Sequence, residues 1–293
     1  MSAPLWSVDG RDWPHRAHSR FVAAGRLRWH VQTFGPEDAP VMLLLHGTGA
    51  ATHSWRGIAP LLATQYRVVA IDLPGHGFTT GRPIGGLSMP AMARAIADLL
   101  RTMQFAPTVI VGHSAGAALA LRLTLDGMAT PDAIVGLSAA LLPFPGLAAQ
   151  LFPTLARALF ANPFASHFFA RLARTPGEAA RFLQRSTGSR IDAEGVRCYA
   201  RLFATSAHCA GALGMMADWN LAALERDLPR LHTPLLLIHG DADAAIPPST
   251  ASAAAALVVN GRLKMLAGLG HLAHEERPAE IVALIRDFIG ERR

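Results

Sequence analysis

Lysine is almost missing from this chain: Lys264 is the only one in 293 residues, and every other basic side chain except histidine is arginine. Charge of any kind is sparse, at 16% of residues against 51% hydrophobic, which excludes a globally disordered chain. A high-GC genome would produce the arginine bias, and no nucleic-acid partner is expected from the net charge of +6. Cysteine is as scarce. Cys198 and Cys209 lie in one helical region and suggest neither a disulfide framework nor a metal site, so a reduced, cytosolic compartment is expected. The N-terminal stretch lacks a long apolar segment and carries charges early, so no signal peptide is expected. Residues 134–156 run 23 positions without a charge, long enough to span a bilayer, but Pro143, Pro145 and Pro153 with Gly136 and Gly146 interrupt them. A buried strand followed by an apolar loop and a short helix is expected there instead.

What is present is organised around Val109-Ile110-Val111-Gly112-His113-Ser114-Ala115-Gly116-Ala117-Ala118. A β-branched run ends in Gly-x-Ser-x-Gly and a small-residue helical run begins at once, the pattern of a serine on a sharp strand-to-helix turn. Side chains at 112 and 116 would collide with the neighbouring strand and helix. The following helix aims its backbone N–H groups at any oxyanion formed beside Ser114.

The rest of the chain repeats a strand–helix rhythm. Arg20–Ala24 and Leu27–Phe34 read as a hairpin; Pro40–Leu45 and Tyr66–Asp72 are apolar runs of the kind buried on both faces. Ser88 is expected to cap a helix to about Gln104, with Met92, Ile96, Leu99, Leu100 and Met103 on one face. The strand into Ser114, a helix to about Gly127, and strands over Ala133–Leu137, Pro234–His239 and Arg262–Leu266 follow, with a terminal helix over Pro278–Ile289. This alternation predicts an α/β fold with a mostly parallel central sheet and helices on both faces. At this length one large domain with an insertion fits better than several small ones.

The rhythm breaks between 141 and 216, where only helical signals occur. The expected division is a core of residues 1–140 and 217–293 with a helical lid at 141–216. That segment holds eight of the thirteen phenylalanines and eight arginines against three acids, so it carries +5 of the +6 net charge. It reads either as a lid or as a second helical layer with a small aromatic core. As a lid it would cover the C-terminal edge of the sheet and make an apolar pocket above Ser114.

A serine hydroxyl needs a base to take its proton, and the base needs an orienting acid. Ser114, Asp243 and His271 occur in the order nucleophile, acid, histidine, each just past a predicted strand, at the sheet edge where ligands bind. The spacing to Pro247 favours Asp243, with Asp241 as the alternative acid. The backbone N–H groups of Thr48 and Ala115 are the expected oxyanion hole. His271-x-x-His274-Glu275 invites a metal reading, but the spacing is not His-Glu-x-x-His and no third ligand is apparent, so no metal and no cofactor are expected.

His46-Gly47, Gly112-x-Ser114-x-Gly116, Gly240-x-x-Asp243-x-x-x-Pro247 and Gly270-His271 together resemble the α/β-hydrolase fold family over nearly all of the chain outside the lid. Ser114 stands where the dehalogenase and epoxide-hydrolase branches have aspartate. A narrower resemblance lies in Asp9–Pro14, His46–Arg56, Asp72–Thr79, Ser186–Asp192 and Gly270–Glu276, which look like the magnesium-chelatase accessory family (30 kDa subunit) of bacteriochlorophyll biosynthesis. That resemblance implies a role around magnesium insertion into protoporphyrin IX and magnesium-chelatase subunits as partners. A cytoplasmic place, with at most peripheral contact at the inner membrane, is expected. Two function classes follow. One is a serine hydrolase acting on an apolar ester, amide or thioester. The other is a binding or assembly factor that holds porphyrin or partner subunits.

Overall fold

The computed structural model describes residues 3–143, 167, 170–171, 175 and 177–291. One mixed sheet runs through it. Its strands are β1 (Ser19–Ala24), β2 (Leu27–Phe34), β3 (Val41–Leu45), β4 (Arg67–Ile71), β5 (Thr80–Gly81), β6 (Pro107–His113), β7 (Ala133–Leu137), β8 (Leu235–Gly240) and β9 (Gly261–Leu266). The order is β1-β2-β4-β3-β6-β7-β8-β9, with β5 pairing to β2. All pairings from β4 to β9 are parallel, while those of β2 with β1, β4 and β5 are antiparallel.

The apolar runs of the central strands follow from helices on both faces. Leu43, Leu45, Val69, Ile71 and Ile110 point into one core, under α2 (Met89–Thr102) and α3 (Ala115–Leu125). Their strand neighbours Met42, Leu44, Val68, Ala70 and Val111 point into the other, with Trp55, α1 (Ala59–Leu62) and the terminal helix, where Ile281, Ile285 and Phe288 lie. A period-2 backbone buried on both sides has no polar face to show, so alternation disappears from its sequence.

Between β7 and β8 lie α4 (Glu178–Thr187), α5 (Ala193–Phe203), α6 (Ser206–Asp218) and α7 (Leu221–Asp227). After β8 come α8 (Pro248–Leu257), α9 (Ala273–Glu276) and α10 (Pro278–Gly290). Ser88 does stand at the N-cap position of α2, but its hydroxyl donates to the Gly85 carbonyl at 3.1 Å rather than accepting from the helix. Asp192 and Asn220 are the side chains that cap, accepting from Gly195 N–H and Ala223 N–H. The expected loop and short helix toward residue 156 fall outside the described residues from 144 onward. Among the described residues no helix is long and apolar enough to cross a membrane.

Candidate active site

Ser114 is the residue between β6 and α3, with φ 51° and ψ −116°. Only glycine enters that region freely, so the turn stores strain on the order of 1–3 kcal/mol. Surrounding contacts impose it. A Cβ at Gly116 would overlap the Leu45 carbonyl, one at Gly112 would overlap the backbone of Ala117, and one at Gly47 would come within 2.7 Å of His113 Nδ1 and 3.0 Å of Ser114 Cβ. The Ser114 N–H donates to the Leu137 carbonyl at 2.9 Å, which ties the turn to β7.

Asp243 follows β8 and His271 follows β9, and the structure joins them: the His271 ring donates from Nδ1 to Asp243 Oδ2 at 2.8 Å. Asp243 Oδ1 accepts from the N–H groups of Ala245 and Ile246, each at 2.8 Å. Burial pushes the Asp243 carboxyl up, but the hydrogen bond and charge of His271, with the Ile246 N–H and nearby His239, hold it below its ordinary value. It is therefore an anion at neutral pH and fixes the proton of His271 on Nδ1, leaving Nε2 as the basic nitrogen. Asp241 has another task, accepting from Gly268 N–H at 2.7 Å within the turn between the two loops.

Ser114 reaches this pair through its neighbour. The His113 ring lies 4.8 Å from the His271 ring, and its Nε2–H donates to the His271 carbonyl at 3.0 Å. Among the described residues Ser114 Oγ makes no hydrogen bond to His271, a looseness common before substrate is bound. The N–H groups of Thr48 and Ala115 have no acceptor among the described residues. Both are thus unspent donors beside Gly47 and Ser114.

The loop carrying Thr48 is held by two imidazoles. His46 Nδ1–H donates to Gly47 C=O at 2.8 Å while Nε2 accepts from Leu73 N–H at 2.9 Å. His208 on α6 accepts at Nδ1 from Gly77 N–H at 3.1 Å and donates from Nε2 to Gly49 C=O at 3.0 Å. Each ring has one donor and one acceptor engaged, so only the neutral form satisfies both contacts. Burial draws His46 below its ordinary pKa and His208 down to about 4. Asp72, buried with them, binds His30 Nδ1 at 2.8 Å and the N–H groups of Thr52 and Phe78. Nothing in the sequence pattern distinguished His208 from other histidines, because its partners are backbone groups distant in sequence; His46 stood out only as part of His46-Gly47, without the bond to Leu73.

The members of the His-x-x-His-Glu stretch turn three ways. His271 faces Asp243; His274 Nε2 contacts Ser54 Oγ at 2.8 Å; Glu275 accepts from Ser54 Oγ and Tyr199 Oη, each at 2.8 Å, and pairs with Arg56. Among the described residues no group of three His, Cys, Asp or Glu side chains could hold a metal ion. Arg56 also binds Asp192 Oδ1 at 2.9 Å, so the buried pair links the loop after β3 to the start of α5. Burial pushes the Glu275 carboxyl above its ordinary value, and the paired Arg56 opposes that rise in part. Replacing Arg56 with alanine leaves Glu275 buried without its cation. A loss of about 3–5 kcal/mol is expected in denaturant unfolding, and a loss below 1 kcal/mol contradicts the assignment.

Cys198 and Cys209 are buried free thiols, and burial pushes them up to about 12 and about 11. Six of the eight phenylalanines between 141 and 216 lie outside the described residues, as does much of the segment from which the apolar pocket above Ser114 is expected. Of the other two, Phe182 is exposed, and Phe203 lies where a Cβ on Gly49 would touch it at 3.4 Å.

Known proteins share this fold. Residues 40–278 match the family model of the alpha/beta hydrolase fold. The chain is 38% identical over 279 residues to the "Magnesium-chelatase 30 kDa subunit" of Rhodobacter capsulatus, covering 95% of this chain and 96% of that protein. Its structure is similar to that of epoxide hydrolase CorEH, with a TM-score of 0.79, 20% identity and coverage of 94% and 99% of the two chains. It is also similar to a thermophilic esterase from Thermogutta terrifontis, with a TM-score of 0.71, 19% identity and coverage of 93% and 98%. This chain belongs to the α/β-hydrolase fold family.

Proposed function

We propose that this chain is a serine hydrolase of bacteriochlorophyll biosynthesis, acting in association with magnesium insertion into protoporphyrin IX. Ser114 is the nucleophile, His271 the general base and Asp243 its orienting acid. The observation that supports the chemistry is the 2.8 Å contact between Asp243 and His271 at the sheet edge where β6 presents Ser114 on a strained turn. The pathway rests on the likeness to the Rhodobacter capsulatus protein.

Ser114 Oγ attacks an acyl carbonyl as its proton passes to His271 Nε2, and the Asp243 carboxylate stabilises the imidazolium. The carbonyl oxygen becomes an oxyanion that accepts from the Thr48 and Ala115 N–H groups, each such donor contributing about 3 kcal/mol. The imidazolium then protonates the leaving group, and water repeats the sequence to release the acid. Magnesium insertion itself needs no acyl-transfer serine. The bond cleaved is therefore an apolar ester, amide or thioester, with a tetrapyrrole side-chain ester as the pathway-linked case.

Residues 141–216 act as a lid on a core of 1–140 and 217–293. Two contacts support this: Thr48 Oγ1 lies 3.6 Å from Met215 Sδ on α6, and His208 bonds Gly49 on the same loop. Arg185, Arg190 and Arg197 are exposed on this segment and suit the propionates of a protoporphyrin, the preferred ligand, or acidic surfaces of magnesium-chelatase subunits. The protein works in the cytoplasm, with at most peripheral contact at the inner membrane.

Titration with protoporphyrin IX, followed by absorbance and tryptophan fluorescence, tests the ligand, with a p-nitrophenyl ester assayed in parallel. Saturable porphyrin binding that weakens about 10-fold when Arg185, Arg190 and Arg197 become glutamine supports the proposal. Ester turnover without porphyrin binding makes the protein an ordinary esterase, and the absence of both overturns the hydrolase assignment.

A further inference from the structure

Three consecutive N–H groups of the loop that carries His271 find their acceptors outside that loop. Gly270 N–H donates to Glu276 Oε1 at 3.0 Å, His271 N–H to the Thr187 carbonyl at 2.8 Å, and Leu272 N–H to Ser189 Oγ at 2.8 Å. The Ser189 hydroxyl in turn donates to Glu276 Oε1 at 2.6 Å. The Thr187 carbonyl also accepts from Ala244 N–H at 3.4 Å, one residue beyond Asp243. The short turn between α4 and α5 therefore touches the acid loop and the histidine loop with the same oxygen.

Packing leaves this turn little freedom. Gly188 has φ 72°, and a Cβ there would overlap the Ala242 carbonyl; a Cβ on Gly270 would overlap Ser189 Oγ. Thr187 and Ser189 are buried, whereas Glu276 is half-buried and closes the turn from outside. None of these three side chains faces the sheet edge as an acid, base or nucleophile.

We infer that the turn Thr187-Gly188-Ser189, locked by Glu276, is a positioning element for His271 and Asp243, so that the inserted helices hold the pair rather than only covering it. The inference rests on the hydrolase assignment for its catalytic consequence. An acid–base pair is productive only within about 0.5 Å of its working geometry, and a misplacement of about 1 Å costs on the order of 100-fold. Two loops from different strands have no covalent reason to keep that register. The Thr187 carbonyl supplies a common anchor, and the charged Glu276 acceptor strengthens the bonds that hold it. Displacing α4 and loosening the Asp243–His271 contact are one event.

The test compares Glu276→Ala, Glu276→Gln and Ser189→Ala in the full chain. Two quantities are read: kcat against KM for a p-nitrophenyl ester, and the low-field proton resonance of the His271 Nδ1–H bonded to Asp243. Glu276→Ala and Ser189→Ala should each lower kcat by about 10- to 100-fold with KM within about 3-fold, and broaden or lose the resonance. Glu276→Gln keeps an oxygen that accepts from Gly270 N–H and Ser189, so it should retain both properties within about 3-fold. Wild-type kcat and an unchanged resonance in the two alanine variants overturn the inference. If Glu276→Ala fails to fold, Ser189→Ala, which removes one hydroxyl, reads the same contact. If the wild-type protein hydrolyses no ester, the resonance alone decides positioning, and failure of the hydrolase assignment stays separate from failure of this one.

Discussion

Ser114→Ala is expected to abolish labelling by a fluorophosphonate probe and to lower ester hydrolysis on the order of 10⁶-fold, the scale on which removing the nucleophile of a Ser–His–Asp triad acts. The protein should stay folded. The strained φ of 51° is as available to alanine as to serine, and the Ser114 N–H bond to Leu137 belongs to the backbone. The hydroxyl has no hydrogen-bond partner among the described residues, so its loss leaves no buried group unpaired. The melting temperature should therefore move by no more than about 2 °C. Mass spectrometry of the labelled wild-type protein should place the adduct on the peptide containing Ser114. An adduct that persists in the variant, mapped to any other side chain, means that the nucleophile lies elsewhere and that the Asp243–His271 pair serves another group.

The contrast between Ser114 and its supporting residues explains what the sequence made legible. The strands were readable because helices cover both faces of the sheet, turning Met42–Leu45 and Val109–Val111 into unbroken apolar runs. The nucleophile turn was readable because Gly112 and Gly116 answer local collisions, with Ala117 and with Leu45 on the adjacent strand. The two-residue β5 offered no period to detect. Ser88 was misleading in detail, since a serine before a helix serves equally well to close the preceding turn at Gly85.

Long-range polar contacts were illegible for a different reason. Ser54 meets Glu275 across 221 positions, and Leu272 meets Ser189 across 83. Neither contact leaves a spacing that either partner's neighbourhood reveals. The spacing to Pro247 favoured the acid at 243 over the one at 241, but both accept backbone N–H bonds in the same turn region, and it is the contact with His271 that distinguishes them. Histidine was the most under-read residue type. Burial of an imidazole follows from what its two nitrogens find in three dimensions, and periodicity carries no trace of that.

Those imidazoles make acid the most damaging condition for this fold. Stability is expected to fall as the pH drops from about 6.5 to 5. His46, His53, His76, His113, His208, His239 and His274 all lie below the ordinary value of 6.5 because burial disfavours their charged form, His208 at about 4 and His274 at about 3. Each therefore leaves the native state with fewer bound protons than the unfolded chain below pH 6.5. Its contribution is complete above 6.5 and declines as the pH falls toward its folded-state pKa. At pH 5.5 His208 and His274 each favour the unfolded state by about 1.4 kcal/mol. Together they amount to about 3 kcal/mol, a sizeable share of the stability of an ordinary domain, and the other five act in the same direction. Asp72 and Asp243 are held below the ordinary carboxylate range and begin to weaken the fold only under more acid conditions. Glu275 is raised by burial and acts in the opposite sense, partly offsetting the imidazoles as the pH falls. His46 and His208 give the loss a local consequence, since protonation breaks their bonds from Leu73 and Gly77 and frees the loop that carries Thr48. Melting temperature measured by circular dichroism at half-unit steps from pH 7.5 to 4.5 should fall steeply below 6.5, with tryptophan fluorescence following the same curve. A melting temperature that stays constant from pH 7.5 to 5 would mean that these rings are protonated in the native state, and the neutral donor–acceptor roles assigned to His46 and His208 would be wrong.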